Sequence, residues 1–76
     1  MLDPQRVKHL IQQAIPDAAI QVQEYSGGGD HFSVEVTSAS FAGKSRVVQH
    51  KMVYAALRTH LDDGVIHALA LTTKAP

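Results

Sequence analysis

Five of the 76 residues are histidine, at His9, His31, His50, His60 and His67, and none is cysteine. Imidazole titrates near neutrality and is the commonest protein ligand to metals. The chemistry to look for is therefore metal ligation or a proton-linked change of charge. The lack of cysteine excludes a disulfide, a thiolate metal site and a cysteine nucleophile together, and it fits a reducing compartment. His67 stands in the apolar run Val65-Ile66-His67-Ala68-Leu69, where it is either a half-buried imidazole satisfied by a hydrogen bond or a ligand. His31 follows Gly27-Gly28-Gly29-Asp30. It is either an exposed strand residue beside a glycine turn or a ligand that a mobile loop lets swing to a metal, at an entropic cost that weakens the empty site. Tyr25 and Asp30 border the same turn and are alternative donors. His50 falls among apolar helical positions and is expected to anchor its helix to the preceding turn by a hydrogen bond, whereas His9 and His60 read as ordinary helix residues. Lys44, Arg46 and Lys51 form a modest basic cluster. It is a solvated face, a docking surface, or a phosphate contact at a helix start.

The elements that must position these groups follow from periodicity. Asp3 as N-cap and Pro4 at the first helical position open a helix over about residues 4–15, with Val7, Leu10, Ile11, Ala14 and Ile15 on one face. Pro16-Asp17 ends it. Ala19 to Tyr25 and then Phe32, Val34 and Val36 alternate apolar with polar residues, the mark of two half-buried strands joined as an antiparallel hairpin by residues 26–30. His31, Ser33, Glu35 and Thr37 then share the polar side, opposite the apolar one. After a connection over 38–44, a second helix is predicted from about Ser45 to Leu61. Val47, Val53, Ala56, Leu57 and Leu61 lie in its apolar stripe, with His50 and His60 inside it, and Gly64 suits its C-terminal cap. Val65 to Leu71, apolar on both faces but for His67, reads as an interior or otherwise well-covered strand, with a polar tail over 72–76. The order α-β-β-α-β closes only as an α+β two-layer sandwich, both helices on one face of the sheet. One domain is expected over residues 1–76, since so short a chain has surface enough for a single core.

Seven basic and seven acidic residues give a formal charge of zero with histidine neutral. That balance weighs against binding nucleic acid mainly through phosphates. No apolar run reaches the length of a signal peptide or of a membrane helix, so no membrane association is expected and a cytoplasmic protein is. No Ser–His–Asp order, phosphate loop or carboxylate pair suggests catalysis, and a small open sheet encloses little volume; the expectation is a protein that is not an enzyme.

Three stretches carry a resemblance: Phe41-Ala42-Gly43-Lys44-Ser45-Arg46, Val48-Gln49-His50-Lys51-Met52-Val53-Tyr54-Ala55-Ala56-Leu57, and Gly64-Val65-Ile66-His67-Ala68-Leu69. The second resembles the helix signature of the BolA family, a His before a basic residue, then Val-Tyr and a Leu. The third resembles that family's Ile-His-Ala strand. With the helix and hairpin before them, the likeness spans nearly the whole chain. It implies a fold similar to the second type of KH domain, with a three-stranded mixed sheet, and a partnership with a monothiol glutaredoxin in iron–sulfur and iron homeostasis. In that partnership a [2Fe–2S] cluster is shared, the glutaredoxin side bringing a cysteine and a glutathione thiol. The resemblance implies His67 as one ligand from this side, and the second from the loop between the first two strands, where relatives use Cys or His; His31 with Phe32 looks like the histidine-type version. The liganding nitrogens must be unprotonated, so binding should fail in mild acid. No cluster is expected in the isolated protein, which should be a monomer or weak homodimer. The alternative partner is nucleic acid, through Lys44, Arg46, His50 and Lys51. KH domains, however, grip it with a Gly-x-x-Gly loop between helices, and the glycine run here falls in a predicted hairpin. Many relatives carry a further short helix past the last strand; this sequence ends at Pro76.

Overall fold

A computed structural model describes residues 3–25, 31–64, 66 and 68–76. Helix α1, Pro4–Ala14, starts as its capping residues dictate: the Asp3 carboxylate accepts from the Arg6 N–H at 2.9 Å, and Pro4 occupies the first turn. Its end comes one residue earlier than the periodicity suggests. Ile15 precedes Pro16 and takes φ −132°, because a proline ring clashes with a helical residue before it. Val7 and Ile11 are wholly buried and Ile15 nearly so, while Ala14, expected on the same face, is exposed.

Strands β1 (Ala19–Glu24) and β2 (His31–Thr37) pair antiparallel, with Ile20 against Val36 and Val22 against Val34. This is the predicted hairpin, and the residues joining the strands, 26–30, lie outside the described set. Strand β3 (Ala68–Lys74) pairs parallel with β2, from His31 beside Ala68 to Thr37 beside Lys74. The sheet is therefore mixed, in the order β1-β2-β3, and β3 is an edge rather than an interior or well-covered strand. Two features of its sequence misled. Ala70, apolar by type, is exposed, and alanine costs little to leave in water. Thr72 to Lys74, expected as tail, continue the pairing, with Thr73 half-buried beside Val36.

A single 3₁₀ turn, Ala39–Phe41, leads from β2 towards α2, Arg46–Asp62. Asp17 ties this turn down. Its carboxylate accepts from the Ser38 hydroxyl at 2.8 and 2.9 Å, the Ala39 N–H at 3.0 Å and the Ser40 hydroxyl at 3.3 Å. The Ser38 contact is the main reason its carboxyl lies below the ordinary carboxylate range; desolvation opposes it, and the Ala39 and Ser40 contacts add smaller lowering effects. Gly43 closes the turn at φ +75° and Gly64 ends α2 at φ +76°, a left-handed conformation that only glycine adopts without strain.

Both helices lie on one face of the sheet. Val7 and Ile11 of α1, and Val53 and Leu57 of α2, join Phe32, Val34 and Val36 of β2, with Phe41 and Ile66 closing the two ends of one core. Val47 is not part of it: the residue is 63% exposed. On a helical wheel it sits about 100° from the direction midway between Val53 and Leu57, so the buried stripe of α2 is narrower than the sequence suggests. The opposite face of the sheet, with Gln21, Gln23, Ser33 and Glu35, is exposed.

Candidate functional site

Strand β2 is the most deeply packed element, its inward residues Phe32, Val34 and Val36 being at most 1% exposed, and His31 is its first residue. Parity turns His31 to the open side of the sheet, where it is half-buried. Across the hairpin the Tyr25 N–H donates to the His31 carbonyl at 3.2 Å, extending the ladder one pair beyond Glu24 and Phe32. The two rings then meet at 5.8 Å between centroids, tilted by 43°. On its other side His31 is registered with Ala68 of β3, the residue that follows His67 in the sequence. His67 itself lies outside the described residues, as do Asp30 and Gly27 to Gly29. Among the described residues no three His, Asp or Glu side chains gather as a metal site.

The basic cluster is divided by α2. Lys44, Arg46 and Lys51 are all exposed. Arg46 and the half-buried His50 line a groove of about 330 Å³ against Leu71, Thr72 and Thr73 of β3. Lys51 turns to a different groove, of about 530 Å³, with Tyr54, Arg58, Leu61 and, at its end, Asp62. Sequence reasoning missed Arg58, although one pattern could have found it: Lys44, Arg46, Lys51 and Arg58 are four of the seven basic residues, and no Asp or Glu occurs between Lys44 and Leu61. The zero net charge thus conceals a segregated one.

His50 does not anchor the helix. That role belongs to its neighbour Gln49, whose amide donates to the Phe41 carbonyl at 3.2 Å and the Lys44 carbonyl at 2.9 Å while its oxygen accepts from the Thr73 hydroxyl at 2.7 Å. The His50 ring packs edge-on against Tyr54 at 6.1 Å. A one-residue step along a helix turns a side chain by about 100°, enough to separate the hydrogen-bonding position of Gln49 from that of His50. His9 is exposed. His60 is half-buried, and its carbonyl accepts from the Ile66 N–H at 3.1 Å.

Comparison with known proteins agrees with this arrangement. The family model described as BolA-like protein matches residues 5–76. The UV-induced protein uvi31 of Schizosaccharomyces pombe is 34% identical over 65 residues, covering 86% of this chain and 54% of that protein. SufE-like protein 1 of Arabidopsis thaliana is 34% identical over 77 residues, covering 99% of this chain and 20% of that one. The chain thus spans about half the length of the first relative and a fifth of the second. Among solved structures, a BolA protein homologue from Coxiella burnetii superposes with a TM-score of 0.82 at 28% identity, covering all of this chain and 94% of that one. With two helices on one face of a three-stranded mixed sheet, and with a family match over nearly its whole length, this chain belongs to the BolA-like family.

Proposed function

We propose that this protein is an adaptor without catalytic turnover. It binds a monothiol glutaredoxin and contributes His31 and His67 to a [2Fe–2S] cluster that the two proteins share. The observation that carries the reading is the register of β2 with β3: His31 is paired with Ala68, and paired strands run about 4.8 Å apart. The backbone next to His67 in sequence is thus brought beside the other candidate ligand. The donor chemistry fits as well. The chain has no thiol, so thiolates must come from the partner, and a half-exposed imidazole at a strand end is open to a metal approaching from outside. When held, such a cluster supplies a redox-active iron–sulfur unit whose imidazole-bound iron has a raised potential. The part of this chain is to present the two imidazoles and to dock. Docking draws on the run from Lys44 to Leu61, where Arg46 on one side of α2 and Lys51 with Arg58 on another suit acidic partner groups.

The test is to mix the protein with a cluster-loaded monothiol glutaredoxin and follow the visible spectrum. The wild type should change it, and His67→Ala should abolish the change. If the double variant His31→Ala/His67→Ala behaves as the wild type does, the ligand assignment is wrong. The same basic run favours one second reading, a nucleic-acid contact. Affinity for a DNA duplex that falls steeply with salt would support it, and weak binding insensitive to salt would remove it.

A further inference from the structure

We infer that Tyr25 is a positioning residue for the His31 imidazole, fixing the ring's orientation before any metal arrives; this rests on the reading of His31 as a ligand. Tyr25 is 58% exposed, so the hydrophobic core does not account for its place. What it does contact is specific. Its N–H donates to the His31 carbonyl, which makes the two residues directly opposite across the hairpin, the geometry in which side-chain pairs interact most strongly. The rings lie 5.8 Å apart at 43°, within the range of attractive aromatic pairs.

The consequence follows from where His31 sits. It is the first residue of β2, and Gly27-Gly28-Gly29-Asp30 precedes it in the sequence. On the chain's other side it adjoins Phe32, which is wholly buried. An imidazole at such a boundary has a fixed Cα, and its neighbours decide among the staggered χ1 wells. A ring packed against it from the opposing strand removes part of that choice, and a ligand already in the correct rotamer loses less entropy when it binds. The contact is one of ring against ring, so phenylalanine should serve equally well.

Two measurements test this on the full chain, with Tyr25→Ala and Tyr25→Phe. In the cluster-free protein, three-bond couplings and ring-to-ring cross-relaxation in NMR should show one dominant His31 χ1 rotamer in the wild type and in Tyr25→Phe, and rotamer averaging in Tyr25→Ala. In titrations with cluster-loaded glutaredoxin, Tyr25→Ala should weaken binding up to about threefold, the effect of spreading one rotamer over three staggered wells, while Tyr25→Phe matches the wild type. Nitrogen hyperfine coupling from ¹⁵N-labelled histidine in the reduced complex should persist in both variants. A His31 ring that averages among rotamers in the wild type, or a Tyr25→Ala variant that matches the wild type in both measurements, would overturn the inference. So would a Tyr25→Phe variant as impaired as His31→Ala, which would make the phenol oxygen the acting group. Should the wild type fail to alter the glutaredoxin spectrum at all, the cluster reading falls, and the rotamer measurement still upholds or overturns the positioning contact.

Discussion

Gln49 holds three segments together, and removing its side chain gives the sharpest test of how this scaffold is braced. In Gln49→Ala the hydrogen bonds to the Phe41 and Lys44 carbonyls and from the Thr73 hydroxyl are lost. They are not equal. The Phe41 carbonyl still accepts from the Lys44 N–H at 3.1 Å, and Lys44 is exposed, so water can satisfy its carbonyl; each of these two bonds contributes about 0.5 kcal/mol. The 2.7 Å bond from Thr73 is part-buried and contributes about 1–1.5 kcal/mol. Alanine returns about 0.3 kcal/mol through its better helix propensity. The net loss is about 2 kcal/mol, which in a domain of this size lowers Tm by roughly 8–16 °C. His50→Ala, which loses an edge-on contact with Tyr54 and part of the groove wall against β3 but none of these hydrogen bonds, should cost less, about 1 kcal/mol or below. Urea unfolding of both variants, with a Gln49→Ala/Thr73→Val cycle to isolate the central bond, reads these values directly. A His50→Ala variant less stable than Gln49→Ala, or a cycle whose coupling is zero, would refute the assignment.

Two other outcomes follow from the same geometry. Val47→Ala should stay within about 0.5 kcal/mol of the wild type, whereas Val53→Ala, at a position with no exposure, should lose about 1.5–3 kcal/mol; both are read by chemical denaturation. Asp17 has a carboxyl lowered in the folded protein, chiefly by the Ser38 hydroxyl, so its stabilising effect is complete above the ordinary carboxylate range and is lost as pH falls through the folded value. The difference in urea midpoint between the wild type and Asp17→Asn should therefore be constant above about pH 5 and shrink below about pH 4.

Much of the fold was legible because its signals were local and mutually consistent. Asp3-Pro4 and Ser45 mark helix starts through their own hydrogen-bonding chemistry, and Gly64 marks an end. Alternation over Ile20, Val22, Phe32, Val34 and Val36 sets a hairpin whose parity is then fixed. What escaped depended on which long-range partner an element meets. Nothing in Val65 to Leu71 states that β3 is an edge, because alanine reads as apolar whether covered or not. Nothing in Ser45 to Leu61 separates Gln49 from His50, because choosing between them requires knowing where β3 lies. Asp17 gave no signal at all: its three partners are more than twenty residues away in sequence. The candidate site was legible as residue types. The pairing of His31 with Ala68 was not, since a parallel register is set by the crossover through α2.

The division of labour in the proposed site follows from that crossover. A parallel pair cannot be joined by a tight turn, so β2 and β3 must be separated by a long connection, here the 3₁₀ turn and all of α2. The leading ends of β2 and β3 therefore fall at one end of the sheet, and residues 31 and 68, far apart in sequence, become neighbours. An antiparallel third strand would instead have paired His31 with the far end of β3. Bracing the crossover by Gln49 on one side and Asp17 on the other thus does more than stabilise the fold, because it holds the register on which the pairing depends. Weakening Gln49 should accordingly lower affinity for the cluster-loaded partner at temperatures where the chain is still folded, an effect that loss of global stability alone would not produce.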